Sequence, residues 1–255
     1  MNAVQNYSDS PLAKTRFCIT AEEAKSIWEL YKQAKAQTKV IRSGFADYGV
    51  YSMEEQTGRG ESDAEHAYGV AVLAVLLSRF IPNLNIDLND IFLALFHDTT
   101  ENGTGDMPDD GNRDEEEKKR IEKTAYTQTV DLLPVDYSDL QKIKFSYFQE
   151  RLGFSGSLMF ALDKMEAVLQ CLIYESYGKK GDLAAKKNPS KRDLLHSRLS
   201  GSNNMTEIWL YGLLLNTPHN EEIFPLFQIA KAAYEDLKKK WPEWAIQYEE
   251  NGAIS

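Results

Sequence analysis

At 255 residues with 42% hydrophobic side chains, the chain is long enough for one sizeable core and too apolar for disorder. A formal charge of −10 argues against nucleic acid as the main partner, because binding to a phosphate backbone rests on Lys and Arg. The longest unbroken apolar stretch, Val70 to Leu77, falls short of the ~20 residues of a membrane span; the first residues lack a signal-type apolar run, and Cys18 and Cys171 have no paired spacing, so a soluble protein of the reducing cytoplasm is expected.

The apolar period is helical nearly everywhere and alternating strand patterns are scarce, so the expected class is all-α. Thr20 and Glu23 have the spacing of a capping box and open a helix through AEEAKSIWELYKQAKA. A second is expected from Asp63 to Phe80, with Val70, Leu73, Leu76 and Leu77 on one face, and a third from about Leu88 to Thr100, stopped by Gly103 and Gly105. RDEEEKKRIEKTAYTQTVDLL makes a fourth, ending before Pro134; Ser138 to Arg151 a fifth; Phe154 to Tyr177 a sixth. GKKGDLAAKKNPSKRD, residues 178–193, reads as a basic, solvated connection, after which helices are expected at Met205 to Leu215 and Glu221 to Lys240. Nothing reads as a repeat or an interdomain linker, so one domain over residues 1–255 is expected.

The chemistry concentrates in LALFHDTTENGTGDMPDD, residues 93–110, where an apolar run meets a histidine and several acids. If the helix continues, His97 and Glu101 are four apart and Asp98 and Glu101 three apart, so Glu101 projects between its two predecessors. Taken alone, a His-Asp pair at a helix end reads as an ordinary polar terminus. Two further residues change its weight. His66 stands just inside a strongly apolar helix, and Asp163 stands in SLMFALDKMEAVLQCL among Phe160, Leu162, Met165 and Val168, where a carboxylate is costly to bury unless paired or coordinated. Together they offer four candidate metal ligands from three helices.

The order His66, His97-Asp98, Asp163 resembles the H…HD…D signature of the HD-domain metal-dependent phosphohydrolases. GRGESDAEHAYGVAVLA, LALFHDTTENGTGDMP and LDKMEAVLQ are similar to the 5′-deoxynucleotidase branch: Arg59 stands seven before His66, Glu65 precedes that histidine, Thr104-Gly105-Asp106 follows the HD pair, and Pro108 closes the motif. The resemblance covers about residues 36–178 and implies an HD-domain helical bundle there, with additional C-terminal helices over about 179–255. It implies that His66, His97, Asp98 and Asp163 hold one divalent ion (Mn, Co, Mg or Zn), that Glu101 handles a proton, and that Asp106 meets the sugar or the attacking water. Arg42, in VIRSGF, and Arg59 are the implied substrate contacts. The implied reaction is release of phosphate from a small phosphorylated substrate, a nucleoside 5′-monophosphate. A regulatory nucleotide-binding module with little turnover, and a nucleoside triphosphate or alarmone hydrolase, are the alternatives; a homodimer is left open.

The departures are specific. The family tends to place a tryptophan directly after the first arginine, where this chain has Ser43-Gly44-Phe45. ADYGVYSMEEQTG, residues 46–58, is extra sequence, and the tail after Gly178 exceeds the usual domain. Two-metal relatives carry further histidines between the HD pair and the last aspartate; none lies between Asp98 and Asp163 here, and His196 and His219 are expected on loops or at the surface.

Overall fold

The computed structural model of the chain describes residues 20–50, 60–103, 105, 115–176, 179–187, 189–216, 226, 228–230, 232 and 233. Within them the chain is helical: α1 (Ala21–Ala36), α2 (Ser43–Asp47), α3 (Asp63–Phe80), α4 (Leu88–Phe96), α5 (Glu115–Val130), α6 (Val135–Glu150), α7 (Gly153–Ser176), α8 (Lys191–Ser200) and α9 (Met205–Asn216). The only extended pairing among these residues is two isolated antiparallel bridges, Ile41 with Ser62 and Asp182 with Asn204. No described helix is long and apolar enough to cross a membrane.

Local chemistry sets the starts of these helices. Capping boxes formed by Thr20 with Glu23, Ser62 with Glu65, Asp87 with Asp90 and Ser190 with Asp193 open α1, α3, α4 and α8, each satisfying amides that the first helical turn leaves without partners. Pro134 precedes α6, whose last turn ends on Arg151 at φ +54°. The expected third helix stops earlier than its period suggests: α4 ends at Phe96, and His97–Asn102 form a 3₁₀ turn. Two short helices, α2 and α8, lie where no helix was expected. Neither carries an apolar stripe long enough to read from spacing; α8 contains Lys191, Arg192, Asp193 and Arg198. The predicted helix at Glu221 to Lys240 and the histidine His219 lie largely or wholly outside the described residues, although residues 226, 228–230, 232 and 233 within it are helical.

The main core is the seam between α3 and α7. Val70, Ala71, Leu73, Ala74 and Leu77 of α3 join Leu158, Met159, Ala161, Leu162, Met165 and Val168 of α7 in one buried cluster that also takes in Leu93 and Ala94 of α4, Tyr126 and Val130 of α5, Phe145 of α6 and Leu210 and Leu213 of α9. The alanines keep the two long helices close, which brings polar residues on their facing turns within bonding distance. Tyr126 of α5 stacks on Phe145 of α6, with centroids 4.0 Å apart, and donates its hydroxyl to Gln141 Oε1 at 3.1 Å. A second cluster holds the C-terminal segment to the bundle: Phe45, Tyr48, Val50, Cys171, Leu183, Met205 and Ile208, packed with Tyr174 and Trp209.

Candidate metal centre

The capping box of Ser62 and Glu65 fixes the first turn of α3, and His66, next in sequence, faces α7 with no exposed surface. Its Nε2 lies 3.0 Å from Asp163 Oδ1 and 3.7 Å from Asp98 Oδ2. Its Nδ1 is bonded to Glu166 Oε2, one helical turn beyond Asp163 on α7. Burial and the nearby Arg42 push the His66 imidazole down, but the hydrogen bonds to Asp163 and Glu166 outweigh them and raise it to about 9. Glu166 was not anticipated from sequence. The signal was present, because three-residue spacing from Asp163 puts both carboxylates on one helix face.

His97 closes the cluster from the end of α4. Its Nδ1 sits 2.9 Å from the carbonyl oxygen of Ala94. A carbonyl can only accept, so Nδ1 donates to it and Nε2 is the ring atom left to face the cluster. That atom is buried and has no hydrogen-bond partner, with Asp98 Oδ1 3.3 Å and Asp163 Oδ1 4.0 Å away. A buried ring nitrogen without a partner is a polar group left unsatisfied, and an imidazole-carboxylate donor set is one that divalent transition ions take. His66, His97 and Asp98 each offer one ligand atom within 4.8 Å of the others. The donor set therefore fits a divalent ion, with Asp163 positioned beside it.

Both aspartates are held ionised. Burial opposes the charge on Asp98, but His97, His66 and Arg42 outweigh it and lower its carboxyl. Burial likewise opposes the charge on Asp163, whose carboxyl is held well below the usual range by Lys164, 2.8 Å from Oδ2, and by His66. Beyond them lies Glu61, pushed up to about 8 by burial and by the charge of Glu166; its amide donates to the Tyr174 hydroxyl at 3.1 Å.

Arg42 donates to Asp98 Oδ2 at 3.3 Å and has its Nε 3.8 Å from Glu61 Oε2. Glu101 is buried on the 3₁₀ turn. The tighter winding changes the expected grouping: residues three apart eclipse one another in a 3₁₀ turn, so Asp98 and Glu101 share one edge while His97, four before Glu101, is turned off it. Arg59 and Asp106 lie outside the described residues. His196 departs from expectation: it is a buried residue of α8, 7% exposed, where a loop or surface position was expected. It is accommodated by Gly212 of α9, where a Cβ would stand 2.6 Å from His196 Nδ1.

A cavity of about 250 Å³ opens beside the cluster, lined in part by Arg42, Lys164, Phe45, Phe160, Trp209 and His196. Trp209 reaches it from α9 and lies beside Gly44, 3.3 Å from where a Cβ would be, so an indole borders the segment after Arg42 although the sequence there supplies none.

Comparison with known proteins agrees with this architecture. The HD domain family description matches residues 52–195. The 5′-deoxynucleotidase HDDC2 of Xenopus laevis is 31% identical over 156 residues, covering 61% of this chain and 73% of that protein. The Bos taurus 5′-deoxynucleotidase HDDC2 is 34% identical over 171 residues, 66% of this chain and 75% of its own length. The 5′-deoxynucleotidase YfbR of Escherichia coli O1:K1 is 31% identical over 140 residues, 50% of this chain and 68% of that one.

Proposed function

This chain belongs to the HD-domain family, and on that premise we propose that it is a metal-dependent phosphohydrolase releasing phosphate from nucleoside 5′-monophosphates. The observation that carries this reading is His97 Nε2, buried without a hydrogen-bond partner near the carboxylates of Asp98 and Asp163 and beside the ring of His66. His66, His97, Asp98 and Asp163 hold one divalent ion. When bound, such an ion lowers the pKa of water and polarises a phosphoryl oxygen.

The rest of the reaction belongs to side chains. Glu166 fixes the ring of His66, as carboxylates bonded to the distal nitrogen of a ligating histidine do. Arg42, on Asp98 and at the cavity wall, neutralises charge growing on the equatorial phosphate oxygens. Glu101 takes the proton of the attacking water and returns it to the departing 5′ oxygen. Arg59 is a second substrate contact and Asp106 a second acid. Trp209, beside Gly44, supplies an aromatic face for the nucleoside. The chain acts as one domain in the cytoplasm, with a nucleotide as its small-molecule partner and neither nucleic acid nor membrane.

The test is a phosphate-release screen over ribo- and deoxyribonucleoside mono-, di- and triphosphates with Mn, Co, Mg and Zn, beside elemental analysis of the purified protein. Release from monophosphates, lost on chelation, with about one ion per chain is expected. Saturable nucleotide binding with no release from any substrate overturns the reading.

A further inference from the structure

Much of the charge on the wall of the cavity beside the metal cluster is already paired. Arg42 and Lys164 lie on Asp98 and Asp163, Lys118 of α5 stands 3.7 Å from Glu122, and Asp193 of α8 accepts from Lys186 and Tyr48 at 2.9 Å each. His196 is different. It lines the same cavity, it is 7% exposed, and among the described residues neither ring nitrogen makes a hydrogen bond; its charged neighbours, Arg192 and Asp193, precede it on its own helix. A polar ring buried without a partner is costly, and a nitrogen left so at a cavity wall is available to a ligand.

The fold makes room for this ring at some cost. A Cβ on Gly212 of α9 would stand 2.6 Å from His196 Nδ1 and 2.7 Å from its Cε1, so the space the imidazole occupies depends on a glycine, which weakens a helix interior relative to alanine. That edge of the ring faces α9 and leaves Nε2 as the nitrogen for a ligand. Burial and Arg192 push the imidazole down, with Asp193 opposing them, and a neutral ring offers one donor and one acceptor. It suits an uncharged polar edge rather than a phosphate, which takes donors only. Three residues before Gly212, about 4.5 Å along the helix axis, Trp209 is braced by Phe45 and Tyr48, with centroids 5.4 and 5.9 Å away, and borders Gly44 in the segment after Arg42. An aromatic face and, one helical turn on, an uncharged polar group are what a flat heterocycle requires.

We propose that His196 is a specificity-determining residue for the nucleoside: its Nε2 hydrogen-bonds the polar edge of the base, whose ring lies against Trp209, while the 5′-phosphate sits at the metal cluster. This rests on the reading that a nucleotide 5′-phosphate is what the metal cluster receives, and it puts base recognition on α8 and α9 of the C-terminal segment. His196 takes no part in bond breaking. Its contact is the same before and during the reaction, so it acts on KM rather than on kcat.

Steady-state kinetics on the full-length, metal-loaded protein test this with the common deoxynucleoside 5′-monophosphates and with deoxyribose 5-phosphate, which carries the same ester and no base. The parent is expected to favour the nucleotides. In His196→Phe, which keeps a flat ring without nitrogens, that preference in kcat/KM should fall by about tenfold through KM, the scale of one buried hydrogen bond. His196→Gln, whose amide reaches about as far as Nε2, should retain most of it; thermal melting establishes that both variants are folded. No preference for nucleotides in the parent, a preference unchanged in His196→Phe, an equal loss on both kinds of substrate, or a His196→Gln protein as poor as His196→Phe overturns the assignment. Phosphate release from nucleotides alongside any of these outcomes leaves the activity standing. Where no substrate releases phosphate, calorimetric affinities give the same ratio, and a nucleotide preference that depends on His196 supports the assignment and overturns the activity.

Discussion

Asp98 and Glu101 are carboxylates of one short turn, and their neighbours give them different work. Asp98 lies against His66, His97 and Arg42, which keep it ionised as a ligand must be. Glu101 is buried three residues on, outside the ligand set. Asp98→Ala is therefore expected to lose bound metal and activity together. Glu101→Gln preserves size and hydrogen bonding but cannot carry a proton at neutral pH, so metal and nucleotide binding should persist while turnover falls by ~10² or more. Metal content, nucleotide affinity and single-turnover rate on both proteins decide it; a folded, metal-loaded Glu101→Gln enzyme as fast as the parent removes Glu101 from the proton path. The residue chemistry here was legible in the sequence wherever a polar group stood in an apolar run, as His66 and Asp163 do. Glu166 escaped because its role comes from a partner one hundred positions earlier in the chain.

Helix approach explains why that partner can be reached. Gly69 lies on α3 against Glu166, and a Cβ there would stand 2.4 Å from Glu166 Oε1 and 2.8 Å from its Cγ. The glycine costs α3 roughly 1 kcal/mol of helix propensity relative to alanine. In return the carboxylate reaches His66 Nδ1. Gly69→Ala should consequently keep or raise helix content yet displace Glu166, lowering metal affinity by ~10–100-fold, the range seen when such supporting carboxylates are lost. Competition with a fluorescent chelator measures it, with Glu166→Gln as the matching variant. Parental affinity in Gly69→Ala would falsify the positioning role. The helices α3, α6, α7 and α9 follow from apolar period and caps, whereas α2 and α8 are held by packing: Phe45 of α2 is fully buried in the second cluster, and α8 closes against Gly212.

Across the whole molecule, the C-terminal segment is tied to the bundle partly through one buried acid. Glu175 of α7 accepts hydrogen bonds from Asn204 Nδ2 at 3.0 Å and Thr206 Oγ1 at 2.5 Å, while its Oε2 is buried without a partner. Burial raises its carboxyl from 4.5 to about 7 despite those two donors. The native state then binds this proton more tightly than the unfolded chain does. Its stabilising effect is complete below the ordinary carboxylate range and is lost as pH rises through about 7. Relative to a Glu175→Gln protein, whose amide oxygen still accepts both bonds, the parent should lose roughly 1–3 kcal/mol between pH 5 and pH 8. Denaturant melts at the two pH values check the sign; a difference that is flat or grows in the parent's favour rejects the account.

The sequence by itself determined the helical class, most helix limits and the four candidate ligands, because periodicity, caps and isolated polar residues are local signals written within a few residues of one another. Tertiary structure alone decided how those groups are used. It placed Glu166 on His66, stopped α4 so that His97 turns its unpartnered Nε2 inward, buried His196, and carried Trp209 and Arg192 from the C-terminal segment to the cavity beside Arg42. Each of these depends on the approach of elements far apart in the chain, and side-chain spacing within one helix carries no information about which distant helix it will meet.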